Sequence, residues 1–285
     1  MTPSTAPGDG TRITLQEPIS HLLRDLIHER TGVYFESERL DTMIQKLEPR
    51  AIERGCQSYL DSYYILKYDE NSDAEWRRVM DAFSVQETYF WREADQIHAL
   101  VEQVVPAWFK LTTQPLRIWS AACATGEEPY SIAMALHEGG WGAHPIEIFA
   151  SDASEAALAK ARSGVYRDRS FRSLPLGLRE KYFQPNGDGL LVRHDIRTRV
   201  NFQWANLVEL SRFPPPGNVQ VIFCRNVFIY FSPASIKRVV ASFAQRVPTD
   251  GHVFIGSSES LLKLTDHFEL QELGQAFVYR RTSLR

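Results

Sequence analysis

The sequence predicts an α/β protein in which a doubly wound, Rossmann-like domain carrying an inserted antiparallel β-subdomain follows a small all-helical domain. Three observations predict it. First, Leu116–Ser120 is a β-prone run that enters a turn of small residues, Ala121 to Gly126, and then a helix opening near Glu127 or Pro129. Strand, small-residue loop and helix form the first unit of a doubly wound nucleotide site, where small side chains let the backbone approach a ligand. Second, Ile146–Asp152 reads as a second buried strand ending in an acid, 26 residues after Gly126. An acid in that place is suited to ribose hydroxyls. Third, residues 18–90 carry apolar positions at helical spacing with no strand pattern.

In chain order, the N-terminal 17 residues (Thr, Pro, Ser and Gly-rich) read as a disordered lead-in without a basic region and apolar core, so no secretory signal is expected. In the helical domain, 18–90, Ile19, Leu22, Leu23, Leu26 and Ile27 make one stripe, started by Pro18 and stopped by Gly32. Leu40, Met43, Ile44 and Leu47 make a second, where Pro49 either kinks the helix or begins another. Tyr59 to Leu66 and Trp76, Val79, Met80 and Phe83 supply two more. A linker, 91–115, contains an amphipathic helix around Ala94 to Lys110. The α/β domain occupies 116–285, with strands expected at 116–120, 146–150, 219–224, 252–256, 268–271 and 276–281, and helices at 129–138, 154–161 and 233–246. Between about 165 and 202 the alternation breaks. Leu190–His194 and Thr198–Phe202 read as short antiparallel strands of the inserted subdomain after a Pro-Asn-Gly-Asp-Gly turn.

Composition narrows the class. The chain has 285 residues, 44% of them hydrophobic and 24% charged, which suits one large or two modest globular domains. No run of 18 apolar residues exists, so no membrane span is predicted. Cys56, Cys123 and Cys224 lack metal spacing and are odd in number, which suits free thiols in a reducing cytoplasm and no metal site. Residues 1–90 carry a net charge of −6, whereas the stretch 160–200 holds ten Lys and Arg against four Asp and Glu. That surplus is either a solvated face or a site for an anionic partner. Lys46, Arg50 and Arg54, spaced by four, could share one face of the second helix and form a docking surface. The loop before the first α/β helix carries Glu127 and Glu128 but no lysine, which argues against a polyphosphate and for a cationic or hydroxyl-rich adenosine-type cofactor.

Five segments in order, Thr88-Tyr-Phe-Trp-Arg-Glu93, Ala124-Thr-Gly-Glu-Glu-Pro-Tyr-Ser131, Ala150-Ser-Asp152, Ala161-Arg-Ser-Gly-Val-Tyr166 and Cys224-Arg-Asn-Val-Phe-Ile-Tyr-Phe231, resemble the CheR-type chemotaxis receptor methyltransferases. The resemblance spans Ile19 to Tyr279. It implies a class I methyltransferase domain, S-adenosylmethionine as donor with S-adenosylhomocysteine as product, and receptor glutamate side chains as acceptors in the cytoplasm. By the same resemblance, Thr88 and Arg92 lie on a segment that closes over the cofactor. Glu128 and Asp152 are its acidic contacts, with Asp152 on the ribose. Asn206 and Leu207 border the adenine, Arg225 and Asn226 lie beside the methionine end, and Tyr230 faces the transferring methyl. Arg92 and Tyr230 are the expected catalytic pair. Gln86 stands where the family usually has Asn, and its longer amide could donate the same bond.

The partner implied is the helical bundle of a chemoreceptor. The short turn Gln184–Gly189 leaves out the extra glycine-containing residues with which some family members hold a receptor tail peptide, so no tight tether is expected. A nucleic-acid methyltransferase would carry Asn/Asp-Pro-Pro-aromatic after the fourth strand, where this chain reads Arg225-Asn-Val-Phe228. Two alternatives share the motifs: the same chemistry in a receptor array outside chemotaxis, and a cofactor-binding signalling scaffold without turnover.

Overall fold

A computed structural model describes residues 17–210 and 218–283. The expected lead-in lies almost wholly outside these residues. Four helices open the chain: α1 (Glu17–Thr31), α2 (Leu40–Glu53), α3 (Tyr59–Tyr68) and α4 (Ser72–Phe83). Leu23, Ile27, Met43, Leu47, Tyr59, Trp76, Val79 and Phe83 make their common core. The apolar stripes of the sequence point inward, as a 3.6-residue period requires. α3 is started by a capping box in which the Ser58 hydroxyl and the Asp61 carboxylate each take the other's backbone N–H. α2 runs through Pro49 without a break, giving up the bond that a Pro49 N–H would have made. α1 stops at Gly32, whose φ of +78° ends the helix; a Cβ there would meet Val208 at 2.7 Å and Phe231 at 2.8 Å.

The linker is one long helical run, α5 (Ala94–Ala99) and α6 (Val105–Leu111), joined by a wide π turn over Leu100–Val104. The turn lies just ahead of Pro106, whose nitrogen has no proton for the regular ladder.

The α/β domain then alternates β1 (Leu116–Ala121), α7 (Glu127–Glu138), β2 (Ile146–Asp152) and α8 (Glu155–Ser163). An excursion follows through β3 (Val165–Tyr166), α9 (Leu176–Tyr182), β4 (Phe183–Asn186), β5 (Gly189–Val192) and the single turn α10 (His194–Arg197). The chain returns with β6 (Val200–Trp204), β7 (Val221–Cys224), α11 (Pro233–Ala244), β8 (His252–Ile255), β9 (Phe268–Leu273) and β10 (Ala276–Arg281). The large sheet has the order β6-β2-β1-β7-β8-β10-β9; β10 pairs antiparallel with both β8 and β9, and the other pairings are parallel. The strand order reverses between β1 and β7, and a doubly wound sheet opens a ligand crevice at that point.

One expectation is corrected here. The strand expected near 198–202 in the antiparallel subdomain is β6, which pairs parallel to β2 and sets Val200 against Ile148 and Trp204 against Asp152. The small sheet is β3-β5-β4 alone. Without β6 the inner strand β2, with Ile146, Ile148 and Ala150 buried, would be an open edge. Phe90 joins the small sheet to the rest. It is fully buried, stacked on Phe171 and set edge-on to Tyr166 and Phe183.

Of the docking face expected from Lys46, Arg50 and Arg54, Arg50 is taken up within the helical domain. Arg50 is mostly buried and grips Glu75, itself 8% exposed, through Nε and Nη2 at 2.8–2.9 Å. A buried carboxylate needs a partner, and Arg50 is spent on it. Arg54 reaches the same Glu75 at 3.7 Å and Asp69 at 3.6 Å. Only Lys46 is without a carboxylate among the described residues; it donates to the Ala82 carbonyl. Arg50→Ala should therefore act on stability, lowering it by roughly 3 kcal/mol, the low end for one broken buried pair because Arg54 stays nearby. Urea unfolding checks it, and an unchanged midpoint would return Arg50 to the surface.

Candidate active site

The crevice at the C-terminal ends of β1, β2 and β7 opens into a cavity of about 470 Å³. Its floor is the loop after β1, its far wall the loop after β7, and its roof comes from the helical domain and the segment 84–93. The loop after β1 is held in an unusual backbone path. Ala122 and Ala124 both have positive φ, +61° and +47°, and Gly126 has +94°. Such strain persists only where surroundings enforce it, and it clusters at ligand sites. Here the Ala124 N–H donates to Asp152 Oδ2 at 2.8 Å, and Tyr166 donates its hydroxyl to the Thr125 carbonyl at 2.7 Å. A Cβ on Gly126 would stand 2.8 Å from Ala161 Cβ, so no other residue fits between loop and α8.

Two carboxylates face the cavity with little access to water. Asp152 is 7% exposed, and its Oδ1 accepts from the Ser154 N–H at 2.8 Å. Glu128 accepts from Ser120 Oγ at 2.6 Å and from Arg225 Nη1 at 3.2 Å. Desolvation pushes both above the usual carboxylate range, most strongly opposed by the Ser154 N–H at Asp152 and by the Arg225 charge at Glu128. Glu127 points elsewhere: it takes the hydroxyls of Thr125 and Ser170 and ties the loop to the subdomain.

The wall after β7 is built around Arg225, whose side chain is 2% exposed. Nη2 contacts Glu93 at 3.2 Å and donates to the Arg92 carbonyl at 2.6 Å, while Nε is buried without a partner. Asn226 takes a positive φ of +59° and donates Nδ2 to Glu93 at 3.3 Å. Tyr230 ends the short turn 228–230, 36% exposed, and its hydroxyl makes no hydrogen bond among the described residues.

The structure gathers Thr88, Arg92, Glu128, Asp152, Asn206, Leu207, Arg225, Asn226 and Tyr230 around the one cavity. It leaves Gln86 out: that side chain is exposed, and its neighbours Val85 and Glu87 line the cavity instead. The Asn206 amide is already engaged, donating to the Arg30 carbonyl at 2.7 Å and accepting from the Val208 N–H. Arg92 is half-buried and donates Nη1 to the Glu87 carbonyl at 2.8 Å.

Two acids escaped the sequence reading. Glu93 partners Arg225, Asn226 and Ser257. Glu259 is the organiser of the Tyr230 turn: Oε1 accepts from the N–H groups of Phe228 and Ile229, and Oε2 from those of Asn226 and Gly256. The signal for Glu259 was faint, an acid three residues past the Gly that closes a strand, which reads equally as the start of a helix.

These surroundings fit a cationic, hydroxyl-rich adenosine ligand that ends in a carboxylate. The acids can accept hydroxyls and an ammonium, and the buried Arg225 Nε–H has a donor to give. Comparison with known proteins agrees. The model of the CheR methyltransferase SAM binding domain matches residues 86–277, and that of the CheR methyltransferase all-alpha domain matches 21–84.

The chain belongs to the CheR methyltransferase family. It is an S-adenosylmethionine-dependent methyltransferase. A Vibrio cholerae relative, chemotaxis protein methyltransferase 2, is 34% identical over 261 residues, covering 90% of each chain. The Salmonella typhimurium chemotaxis protein methyltransferase is 32% identical, over 91% of this chain and 90% of that one. A Pseudomonas putida protein named as a probable biofilm formation methyltransferase, WspC, is 31% identical over 90% of this chain and 60% of its own.

Four outcomes follow for the site. Asp152→Ala should weaken S-adenosylmethionine binding by about 1–3 kcal/mol, the worth of bonds to a charged group, and calorimetry measures it. In the native protein the same affinity should decline on acidification from a pH above the usual carboxylate range, because protonation removes an acceptor from each raised acid. The free fold should respond oppositely. Raised acids favour folding when protonated, so their share of stability is complete below the unfolded-state values and is lost as pH rises through the folded ones. A flat affinity profile across that range would remove the two acids from the binding site. Glu259→Ala should slow turnover about a hundredfold, since it frees the Tyr230 turn and ångström-scale misplacement costs that much. Wild-type turnover in that variant would refute the organising role.

Proposed function

We propose that this enzyme methylates glutamate side chains on the cytoplasmic helical bundle of a chemoreceptor, giving glutamate methyl esters and S-adenosylhomocysteine in sensory adaptation. One observation carries the anionic acceptor. Arg39, Lys46 and Arg92 all line the cavity, and none forms a contact ion pair among the described residues, Arg92 acting on Glu128 only through space. Unpaired cations at the entrance of a site favour an acidic segment over a neutral or basic one. The names of the relatives point the same way.

In this reading Asp152 holds the ribose, Asn206 and Leu207 border the adenine, and Arg225, Asn226 and Glu128 hold the methionine end. Bound S-adenosylmethionine supplies a methyl group on a cationic sulfur. Thr88 and Arg92, on the segment 84–93, close the roof and exclude water. Gln86 is assigned no contact. Arg92 has four N–H donors beyond the one given to Glu87, enough to grip the acceptor carboxylate bidentately. A glutamate is already ionised at neutral pH, so no side chain has to remove a proton. What the residues provide is alignment and a dry site. Tyr230 presents a hydroxyl to orient the acceptor and a ring face that tolerates the sulfonium, worth roughly 0.5–2 kcal/mol.

Arg92→Ala should lose most methyl transfer to receptor fragments, and Tyr230→Phe a substantial part, while both variants fold. A radiolabelled methyl assay measures both, and the label on the product should be released by base, as from an ester. Base-stable label would mean methylation of nitrogen. If membranes from the native cell take up label only on a receptor outside motility, the chemistry stands and the adaptation role moves to that pathway, as the name of the Pseudomonas putida relative illustrates.

A further inference from the structure

Five of the ten Lys and Arg in the stretch 160–200 pair with single carboxylates, and Arg197 and Arg199 donate to the carbonyls of Arg162 and Gly142. Arg162 meets Glu155, Arg167 meets Asp188, Arg179 meets Asp168, Lys181 meets Glu138 and Arg193 meets Asp195. Arg169 and Arg172 differ, because they share one carboxylate, and it comes from Glu87 on the segment that roofs the cavity. Arg172 contacts Glu87 at 2.7 Å and lies 3.8 Å from the centre of the Tyr89 ring; Arg169 contacts the other oxygen. The Glu87 carbonyl is taken by Arg92, whose guanidinium lies 5.5 Å from the same ring. A single residue at the cavity mouth is thus held by three arginines.

As a structural clasp this arrangement is weak. The side chains of Arg169, Arg172 and Glu87 are 77%, 39% and 45% exposed, and exposed ion pairs contribute only about 0–1 kcal/mol. Such a contact exchanges readily for another carboxylate. The arginine left behind would not collapse, because the Tyr89 ring holds the Arg172 plane in place. Two cations on one acid also leave a net positive charge at the spot, continuous with unpaired Arg39, Lys46 and Arg92 around the mouth.

We propose that Arg169 and Arg172 form a docking subsite for an acidic residue flanking the acceptor glutamate, occupied in the free enzyme by Glu87 as an internal stand-in. The subsite belongs to the methyl-accepting surface argued above and rests on that reading. Docking of an acidic helix displaces Glu87, and the arginine pair sets which acidic segment presents its glutamate to Arg92.

Steady-state kinetics on the full chain with a receptor cytoplasmic fragment tests this, alongside calorimetry of S-adenosylmethionine. Glu87→Gln should lower the acceptor KM and steepen its salt dependence, with cofactor affinity unmoved. The double variant Arg169→Ala, Arg172→Ala should raise the acceptor KM about two- to thirtyfold, the sum of two exposed pairs, with the change falling on KM rather than kcat. A clasp without a docking role predicts the reverse: Glu87→Gln weakens cofactor binding and leaves acceptor KM alone, and that result overturns the subsite. Normal wild-type turnover with an unmoved KM in the double variant overturns it as well. Absence of wild-type turnover on any acidic receptor fragment sinks the acceptor reading itself.

Discussion

The buried guanidinium of Arg225 is the contact on which the site depends. It sits at the end of β7, where the sheet order reverses, and reaches Glu128 at the start of α7 and Glu93 at the start of the linker helix. Three segments far apart in sequence therefore meet on one charge. Removing a partner from such a buried group costs several kcal/mol, because the charge left behind has no water to turn to. The arrangement also separates two kinds of acid. Glu93 lies beside Arg225, Asn226 and Ser257, and although burial opposes it, these partners hold its carboxyl below the usual range. Glu128 is more deeply desolvated and rises above it. Two carboxylates on one cation thus differ in charge preference through the depth of burial and the partners each finds.

Phe90 does for packing what Arg225 does for charge. Fully buried among Tyr166, Phe171 and Phe183, it fastens the segment 84–93 to the small sheet. A Phe core of this kind contributes on the order of 3 kcal/mol. Next to it the chain takes positive φ at Trp91 and Glu93. The Trp91 N–H is held by Ser131, which in turn donates to the Glu127 carbonyl. The roof of the cavity is thus anchored where it enters the linker helix, by an aromatic cluster and a strained backbone side by side.

Much of this was legible in the chain. The turn of small residues after Ser120, the acid at Asp152 and the helical stripes of 18–90 are local signals, and local signals survive folding. What sequence spacing could not show was which partner each charge would find. Lys46, Arg50 and Arg54 are four apart, yet Arg50 belongs to Glu75 on another helix. Thr198–Phe202 reads as a subdomain strand because short alternating strands carry no label for their sheet; the edge of β2, which β6 covers, decides it. Glu259 was invisible for the same reason, since its four N–H partners lie in two loops about 30 residues apart. Glu87 was read past because its meaning lies in Arg169 and Arg172, more than 80 residues downstream.

The helical domain is sewn to the α/β domain at several points: Val33 bridges Phe231, the Tyr34 N–H donates to the Tyr230 carbonyl, His28 meets Ser232, and Asn206 takes the carbonyl of Arg30. Gly32 passes so close to Val208 and Phe231 that no side chain fits. The two regions recognised by separate family models are therefore not interchangeable parts. Recombination that exchanged one half would bring a helix end whose contours match a different turn after β7. A change on one side of the junction therefore has to be matched on the other, whereas the outward faces of the helices, away from the seam, carry no such constraint.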